Sequence, residues 1–412
     1  MSRGIQAVGL DIGTSKIRCV VGEASDGGIM NIVGIGQAES HGLRRGIVTT
    51  TDAVAESIKK AVEDAERTSG LEIHTATINL SGEHLSGENK SGVVAVAGAG
   101  REITTEDVER AVESASAMQL PAGWEIVDRL PQEFIIDGQD GIVEPIGMRG
   151  ARLECRIHVV SSPSAGKQNV VKAIQNASLE IERMMLEPLA AAQSVLTDDD
   201  KEYGCALVNI GEELTSLMIF GRGAVQHTTV FPFGGMHFTK DLAVGLRVSI
   251  PEAERIKHSY GCVAGFLMKA DEKQEIIEVT PVGRQETRLL SKEILCDIMQ
   301  PRAIELLQLI AHEVFASRGQ ISSGVVLTGG GSLNRGMVEI AEQVFDAPTR
   351  LGYLEQKRFG GLASDVQSPE WATACGLALS SMRTQIRQQS TGGKSPSRKV
   401  AEWFENFREK FR

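Results

Sequence analysis

The chain opens on two apolar, β-prone runs, Ala7 to Ile12 and Ile17 to Val21, separated by the small polar stretch Gly13-Thr14-Ser15-Lys16. This pattern predicts a strand, a tight turn and a returning strand. A related pattern recurs 198 residues later, from Leu207 to Phe220, with Asn209 in the place of Asp11 and Gly211 in that of Gly13. Two matches in register predict an internal duplication, two related lobes that each contribute a hairpin.

A third segment, Val325 to Thr328 followed by Gly329-Gly330-Gly331-Ser332, reads as a buried strand entering a glycine loop. Behind it Leu333, Met337, Ile340, Ala341, Val344 and Phe345 keep helical spacing, with Ser332 or Asn334 available as cap. Pro251 to Tyr260 has Pro at a helix start and Gly261 past its end. Residues 84–163 form a separate block: a glycine-rich strand region, a helix from about Thr105 to Met118, and strand-like runs near Glu133 to Asp137 and Arg152 to Ser161. The block reads as an insertion into the first lobe. Gln385 to Ser397 is polar and rich in Gln, Ser and Gly, the composition of a linker. After it, Arg398 to Arg412 places Val400, Phe404, Phe407 and Phe411 on one helical stripe with Trp403 beside it.

The length of 412 residues calls for two or three lobes. High Gly, 44 residues, with only 12 Phe, 3 Trp and 3 Tyr favours an α/β fold with many tight turns. A net charge of -11 speaks against non-specific binding to nucleic acid. That charge is uneven: residues 385–412 carry +4, leaving -15 for the rest, so the tail is expected to have its own target. The six cysteines form no CxxC pair and read as small buried thiols. No signal peptide and no apolar run of membrane-spanning length is visible.

A turn of this kind exposes successive backbone N–H groups that can surround a phosphate. The hydroxyls of Thr14 and Ser15 can donate to its oxygens, Lys16 brings positive charge, and Asp11 could hold a hydrated Mg²⁺. Alone, such a turn is equally a polar hairpin, and the glycine loop equally a plain turn. Two related hairpins followed by strand, glycine loop and helix shift the reading toward a nucleotide clasp.

The ordered set resembles the actin-like ATPase superfamily. With the inserted block, Leu186 to Ala192, the helix Glu252 to Tyr260 and the amphipathic terminus, it is similar over essentially the whole chain to the FtsA family of bacterial cell-division proteins. The resemblance implies an actin-like two-lobed α/β fold with duplicated mixed sheets, an inserted α+β subdomain and a C-terminal amphipathic helix. It divides the chain into a first lobe (1–83, 164–200, 348–384), the inserted subdomain (84–163), a second lobe (201–226, 302–347), its smaller subdomain (227–301), the linker (385–397) and the terminal helix (398–412).

The resemblance also implies ATP with Mg²⁺ as cofactors. Gly13, Thr14, Ser15 and Lys16 would contact the phosphates, Asn209, Gly211, Glu212, Glu213, Gly234 and Gly235 would belong to the cofactor site, and Asp11 would orient the metal through water. Glu254 and Lys257 would meet the ribose and base, while Gly330, Gly331 and Ser332 would line the adenosine. Glu187 falls where related ATPases position the attacking water; as an acid before a Pro-started helix it would equally complement the dipole.

The second loop departs from the family pattern. Asn209 removes one metal-orienting carboxylate, and Glu212 and Glu213 put negative charge where triphosphate would lie. A like charge at about 4 Å costs roughly 1 kcal/mol in water and more in a cleft. Unless Mg²⁺ bridges the acids or they turn outward, ATP binding weakens and hydrolysis is slow or absent.

The implied partners are FtsZ, through its acidic C-terminal peptide, further copies of the chain in a filament, later division proteins, and anionic inner-membrane lipid. No nucleic-acid partner is expected. Arg288, Lys292 and Arg302 fall in the region that resembles the FtsZ site, although each could be part of a solvated helix face. The terminal helix, with Val400, Trp403, Phe404, Phe407 and Phe411 as its apolar side and Lys399 and Arg408 among its cations, suits a bilayer interface. Partial insertion of four such side chains gives a gross gain of about 4 to 8 kcal/mol before ordering costs. The location implied is the cytoplasmic face of the inner membrane at the division septum. Two other readings share the fold: a sugar-kinase-type or chaperone-type ATPase, and a pilus-assembly adaptor, which would normally lack the terminal helix.

Overall fold

The computed structural model describes residues 5–390 except 26, 97–100, 284–286 and 318. Its first sheet runs in the order Glu180–Leu186, Thr75–Leu80, Gln6–Ile12, Lys16–Ala24, Met30–Glu39, Phe359–Gly361. The second runs Thr349–Leu351, Val325–Thr328, Cys205–Ile210, Thr215–Gly221, Ala224–Phe231. In each, a central strand pairs antiparallel with its hairpin partner on one side and parallel with a later strand on the other. The duplication expected from the two hairpins therefore extends to five strands in the same order and sense. Even the last hairpin rungs correspond, Ile12 with Ile17 and Ile210 with Thr215.

Both central hairpins are apolar on both faces because helices cover both faces. Val8, Leu10, Ile17 and Cys19 pack with Val54, Ile58, Ala61 and Ala65 of the helix Thr51–Ser69. Ala7 and Val20, offset by one residue, meet the helix Ala372–Ser390 through Ala374, Cys375 and Ala378. The second sheet repeats the scheme. Val208, Ile210, Leu217 and Ile219 face Phe238 and Leu242, whereas Leu207, Met218 and Phe220 face the helix Glu187–Val195. Each such large side chain contributes roughly 1.5 to 3 kcal/mol on burial.

The inserted block is a four-stranded sheet, Ser86–Ala95, Arg152–Pro163, Trp124–Ile136 and Gln139–Ile142, covered by the helix Thr105–Ser116. Asp107 closes that helix's first turn by accepting from the Thr104 N–H at 3.0 Å. The block leans on the second lobe through His158, whose ring nitrogens lie 2.7 Å from Asn89 Oδ1 and 3.1 Å from Thr228 Oγ1. Burial pushes this imidazole down to about 4, so the joint stays uncharged at neutral pH.

Three borders differ from the sequence expectation. The outer strand of the second sheet continues to Phe231, past residue 226. The helix Glu293–Ala316 runs through the border at 301/302 with Pro301 inside it. Thr349–Leu351 pairs with Val325–Leu327 and so belongs to the second sheet, not the first. The helix behind the glycine loop also starts later, at Met337 with Gly336 at φ 90 as cap, so neither Ser332 nor Asn334 caps it. Leu333 sits in a separate 3₁₀ turn and is exposed.

The chain crosses between the lobes at 196–204 and returns at 352–358. The two crossings lie side by side: Arg358 Nη1 donates to the Gln193 and Leu196 carbonyls, both at 2.8 Å, and Arg350 Nη2 to Asp200 at 2.8 Å.

The helix Ala372–Ser390 extends into the expected linker, with Ile386 packed against the core, so residues 385–390 are helical. The remaining linker and the terminal helix, with Lys399, Val400, Trp403, Phe404, Phe407, Arg408 and Phe411, lie outside the described residues. Among the described residues no helix is long and apolar enough to cross a membrane. All six cysteines are buried free thiols.

Candidate nucleotide cleft

Each hairpin ends in the same four-residue turn. Gly13 N–H donates to the Lys16 carbonyl at 3.2 Å, and Gly211 N–H to that of Leu214 at 2.9 Å. Asn79 fixes the first strand's end by accepting the Ile12 N–H at 2.8 Å. The second turn rests on a helix start: Gly235 and Met236 N–H groups donate to the Gly211 and Glu212 carbonyls, both at 2.8 Å. The glycine loop follows a strand laid parallel to the second hairpin. Gly329, at φ 79, passes so near that a Cβ there would come within 2.1 Å of Asn209 Oδ1, so no larger residue fits.

These three loops and the helix Ile250–Tyr260 surround one cleft of about 550 Å³ between the lobes. Among the residues expected at a nucleotide, Asp11, Gly13, Thr14, Ser15, Lys16, Glu187, Asn209, Gly211, Glu212, Gly235, Glu254, Lys257, Gly330 and Gly331 line it. Three expected residues stand apart from the lining. Ser332 is buried and donates to the Gly329 carbonyl at 2.6 Å, holding the loop's shape. Gly234 lies against the backbone of the second turn, and Glu213 turns away to the Arg45 backbone N–H at 2.7 Å.

The cleft floor is a buried polar network. Glu187 opens the helix Glu187–Val195 and accepts from Ser216 Oγ at 2.5 Å, Thr373 Oγ1 at 3.3 Å and the Asn209 amide. Burial pushes its pKa up, and these donors oppose the rise. Asp11 is pushed up to about 7, chiefly by burial, with Arg18 holding it down and Glu187 raising it further. Asn209 thus serves as a donor to Glu187, where an aspartate would repel it. Glu254 is held below the usual carboxylate range: burial works against ionisation, and the bonds from Lys257 at 2.8 Å and from Thr239 outweigh it.

The floor suits a hydrated cation. Asn209 Oδ1 is a buried acceptor with no bonding partner, on the residue whose amide donates to Glu187, and the Asp11 and Glu187 carboxyls would ionise more readily beside positive charge. Among the described residues no three His, Cys, Asp or Glu side chains are grouped to hold a metal directly.

Sequence reasoning missed Arg18, Glu370 and Thr373, which also line the cleft. The position of Arg18, opposite Asp11 on the return strand, was a usable signal. The basic trio is dispersed in its bonding: Lys292 borders the cleft and pairs with Glu272 at 3.0 Å and Glu275 at 3.2 Å. Arg302 pairs with Asp241 at 2.6 Å and Glu305 at 2.5 Å, while Arg288 is exposed on the strand Arg288–Ser291.

A family model for "Cell division protein FtsA" matches residues 206–376, and one for the "SHS2 domain inserted in FTSA" matches 82–161. The cell division protein FtsA of Pseudomonas aeruginosa is 39% identical over 384 residues, covering 93% of this chain and 90% of the relative. That of Neisseria meningitidis is 38% identical over 409 residues, covering 96% and 97%. This chain belongs to the FtsA family. Solved structures give its fold: the PilM–PilN type IV pilus biogenesis complex matches with a TM-score of 0.64 at 19% identity, covering 91% of this chain and 98% of that one. MreB5 of Spiroplasma citri bound to ADP matches at 0.54 and 12% identity, covering 94% and 98%. At such identities they show the fold alone. The chain is thus a cell-division protein of actin-like fold with the FtsA-type insertion, and the pilus-adaptor and sugar-kinase readings are set aside.

Proposed function

We propose that this FtsA-family protein binds ATP in its interlobe cleft, assembles into filaments at the cytoplasmic face of the inner membrane, and tethers FtsZ there. The observation that carries the nucleotide part is the meeting of two equivalent hairpin turns and a glycine loop around one cleft. Thr14, Ser15 and Lys16 would hold phosphate oxygens, Glu254 and Lys257 the ribose and base, and Gly330 and Gly331 the adenosine. Mg²⁺ carried in with the nucleotide would neutralise phosphate charge; Asp11 would hold its water shell. Support also comes from a fold relative, MreB5, solved with ADP.

With Glu187 held by three donors and Glu212 lining the cleft from the second turn, nucleotide acts as a clamp between lobes and turns over slowly. Residues 398–412 would attach each subunit weakly to anionic lipid, and a filament would attach firmly because later contacts form at high effective concentration. The FtsZ peptide, being acidic, would meet the smaller subdomain near Arg288; Lys292 and Arg302 would have to leave carboxylates of the chain itself.

Co-sedimentation with anionic vesicles tests the anchor: the full chain should pellet and a chain ending at Ser397 should not. Equal pelleting refutes it. Calorimetry with ATP and Mg²⁺ tests the cleft, and absence of binding refutes the nucleotide reading.

A further inference from the structure

The helices Gly235–Leu246 and Ile250–Tyr260 meet over one hydroxyl. Thr239 is fully buried; its Oγ1 accepts from Lys257 Nζ at 2.9 Å and donates to Glu254 Oε2. The same ammonium donates to Glu254 Oε2 at 2.8 Å, and the Gly235 carbonyl lies 3.4 Å from both the hydroxyl and the ammonium. Gly235 thereby joins this network to the second turn, because its N–H donates to the Gly211 carbonyl at 2.8 Å. The hydroxyl takes a hydrogen bond from a cation and gives one to an anion, which valine, equal in shape, cannot do. Glu254 and Lys257 line the cleft, whereas Thr239 does not. The two oxygens of Glu254 are therefore unlike: Oε2 is tied to Thr239 and Lys257, while Oε1 lies 3.0 Å from Nε2 of His258, an exposed side chain. An exposed pair of that kind is weak and readily displaced.

We propose that Thr239 is a positioning residue for the sugar of the nucleotide: with Lys257 it fixes Oε2 of Glu254, so that Oε1 is left to accept from a ribose hydroxyl, and the cleft prefers ribose to a sugar that lacks both hydroxyls. The sugar preference rests on the nucleotide reading above; the lock on Glu254 does not. A hydroxyl donating to a carboxylate makes a charge-assisted bond, and a site built to take that bond rejects an analogue without the hydroxyl because its own acceptor is left unpaired. The lock adds to this by ordering the carboxylate before the sugar arrives, so that binding need not order it. Burial raises the Glu254 pKa, and the bonds from Lys257 and Thr239 outweigh the rise, so the carboxyl is held ionised.

Two measurements on the full chain decide the matter. In a carboxyl NMR titration without nucleotide, Thr239→Val should move the Glu254 pKa upward from its lowered value, and Thr239→Ser, which keeps the hydroxyl, should leave it low. An unmoved Glu254 in the valine variant overturns the lock. By calorimetry with Mg²⁺, the wild-type chain should bind ATP about tenfold more tightly than 2′,3′-dideoxy-ATP, the worth of one such bond. Thr239→Val should cut that preference to about twofold by weakening ATP alone, and Thr239→Ser should keep it. Thr239→Ala, which also lacks the hydroxyl, takes the place of the valine variant if that one does not fold. Equal affinities in the wild-type chain, a preference that survives loss of the hydroxyl, or a variant that weakens both nucleotides alike overturns the positioning role. If neither nucleotide binds the wild-type chain, the sugar preference falls together with the nucleotide reading, while the Glu254 titration still decides the lock.

Discussion

Arg18 and Glu370 stand 352 residues apart in the chain, yet the guanidinium donates to the carboxylate at 2.6 Å and lies over Trp371, 5.4 Å from its centroid. The pair ties the first hairpin to the segment beside the glycine loop, where Gly329 N–H meets the Pro369 carbonyl at 3.2 Å. Arg18 is also the positive neighbour that restrains Asp11. Arg18→Met should raise the Asp11 pKa above about 7, visible in a carboxyl NMR titration. It should also weaken ATP binding by about tenfold, or ~1.4 kcal/mol. Unchanged affinity would show that the guanidinium serves only to join segments.

Asp11 makes stability depend on pH. Its folded pKa, about 7, lies above the ordinary 3.8, so the folded protein holds a proton that the unfolded chain has lost between those values. Stability from this group is therefore greatest below pH 4 and declines as pH rises toward 7. Asp11→Asn should flatten that part of the profile and stabilise the protein at pH 8 by a few kcal/mol, on the order of the shift converted. Denaturant midpoints measured from pH 4 to 8 check this; parallel profiles for the two proteins would refute it.

Lys201 behaves oppositely. Its buried ammonium has no hydrogen-bond partner, and burial, helped by Arg358, pushes its pKa down from 10.5 to about 8. The penalty is full below pH 8 and fades as pH rises toward 10.5, because there the unfolded chain alone keeps the proton. Lys201→Met should stabilise the protein at pH 7 by about 1 to 3 kcal/mol and by almost nothing above pH 10. A destabilised variant at pH 7 would mean that the amine is solvated.

Gly376 lets two helices touch. A Cβ there would stand 1.8 Å from the Ala190 carbonyl oxygen, so Gly376→Ala must push Ala372–Ser390 away from Glu187–Val195. A loss of about 1 to 3 kcal/mol, seen as a lower melting temperature, is the expected outcome. Because Glu187 and Thr373 sit on these helices, nucleotide affinity should fall with it.

What was legible in the sequence follows from locality. The paired hairpins, the glycine loop and the Pro-started helix Ile250–Tyr260 each announce themselves within about ten residues, through alternation and through Gly or Pro at fixed points. Glu370 and Thr373 reach the cleft by contacts that span the chain, which no local pattern encodes, whereas the place of Arg18 opposite Asp11 follows from the register of the first hairpin. Gln385 to Ser390 has linker composition but is helical, because Ile386 finds apolar surface that only the folded body supplies. The direction of Glu213 was hidden for the same reason: its acceptor role depends on a backbone N–H 168 residues away.

The adjacent crossings at 196–204 and 352–358, joined by Arg358 and flanked by Arg350, gather both covalent connections between the halves along one line. A rotation about that line would disturb fewer of these bonds than a slide along it, and neighbours gripping both halves would then sense a single angle.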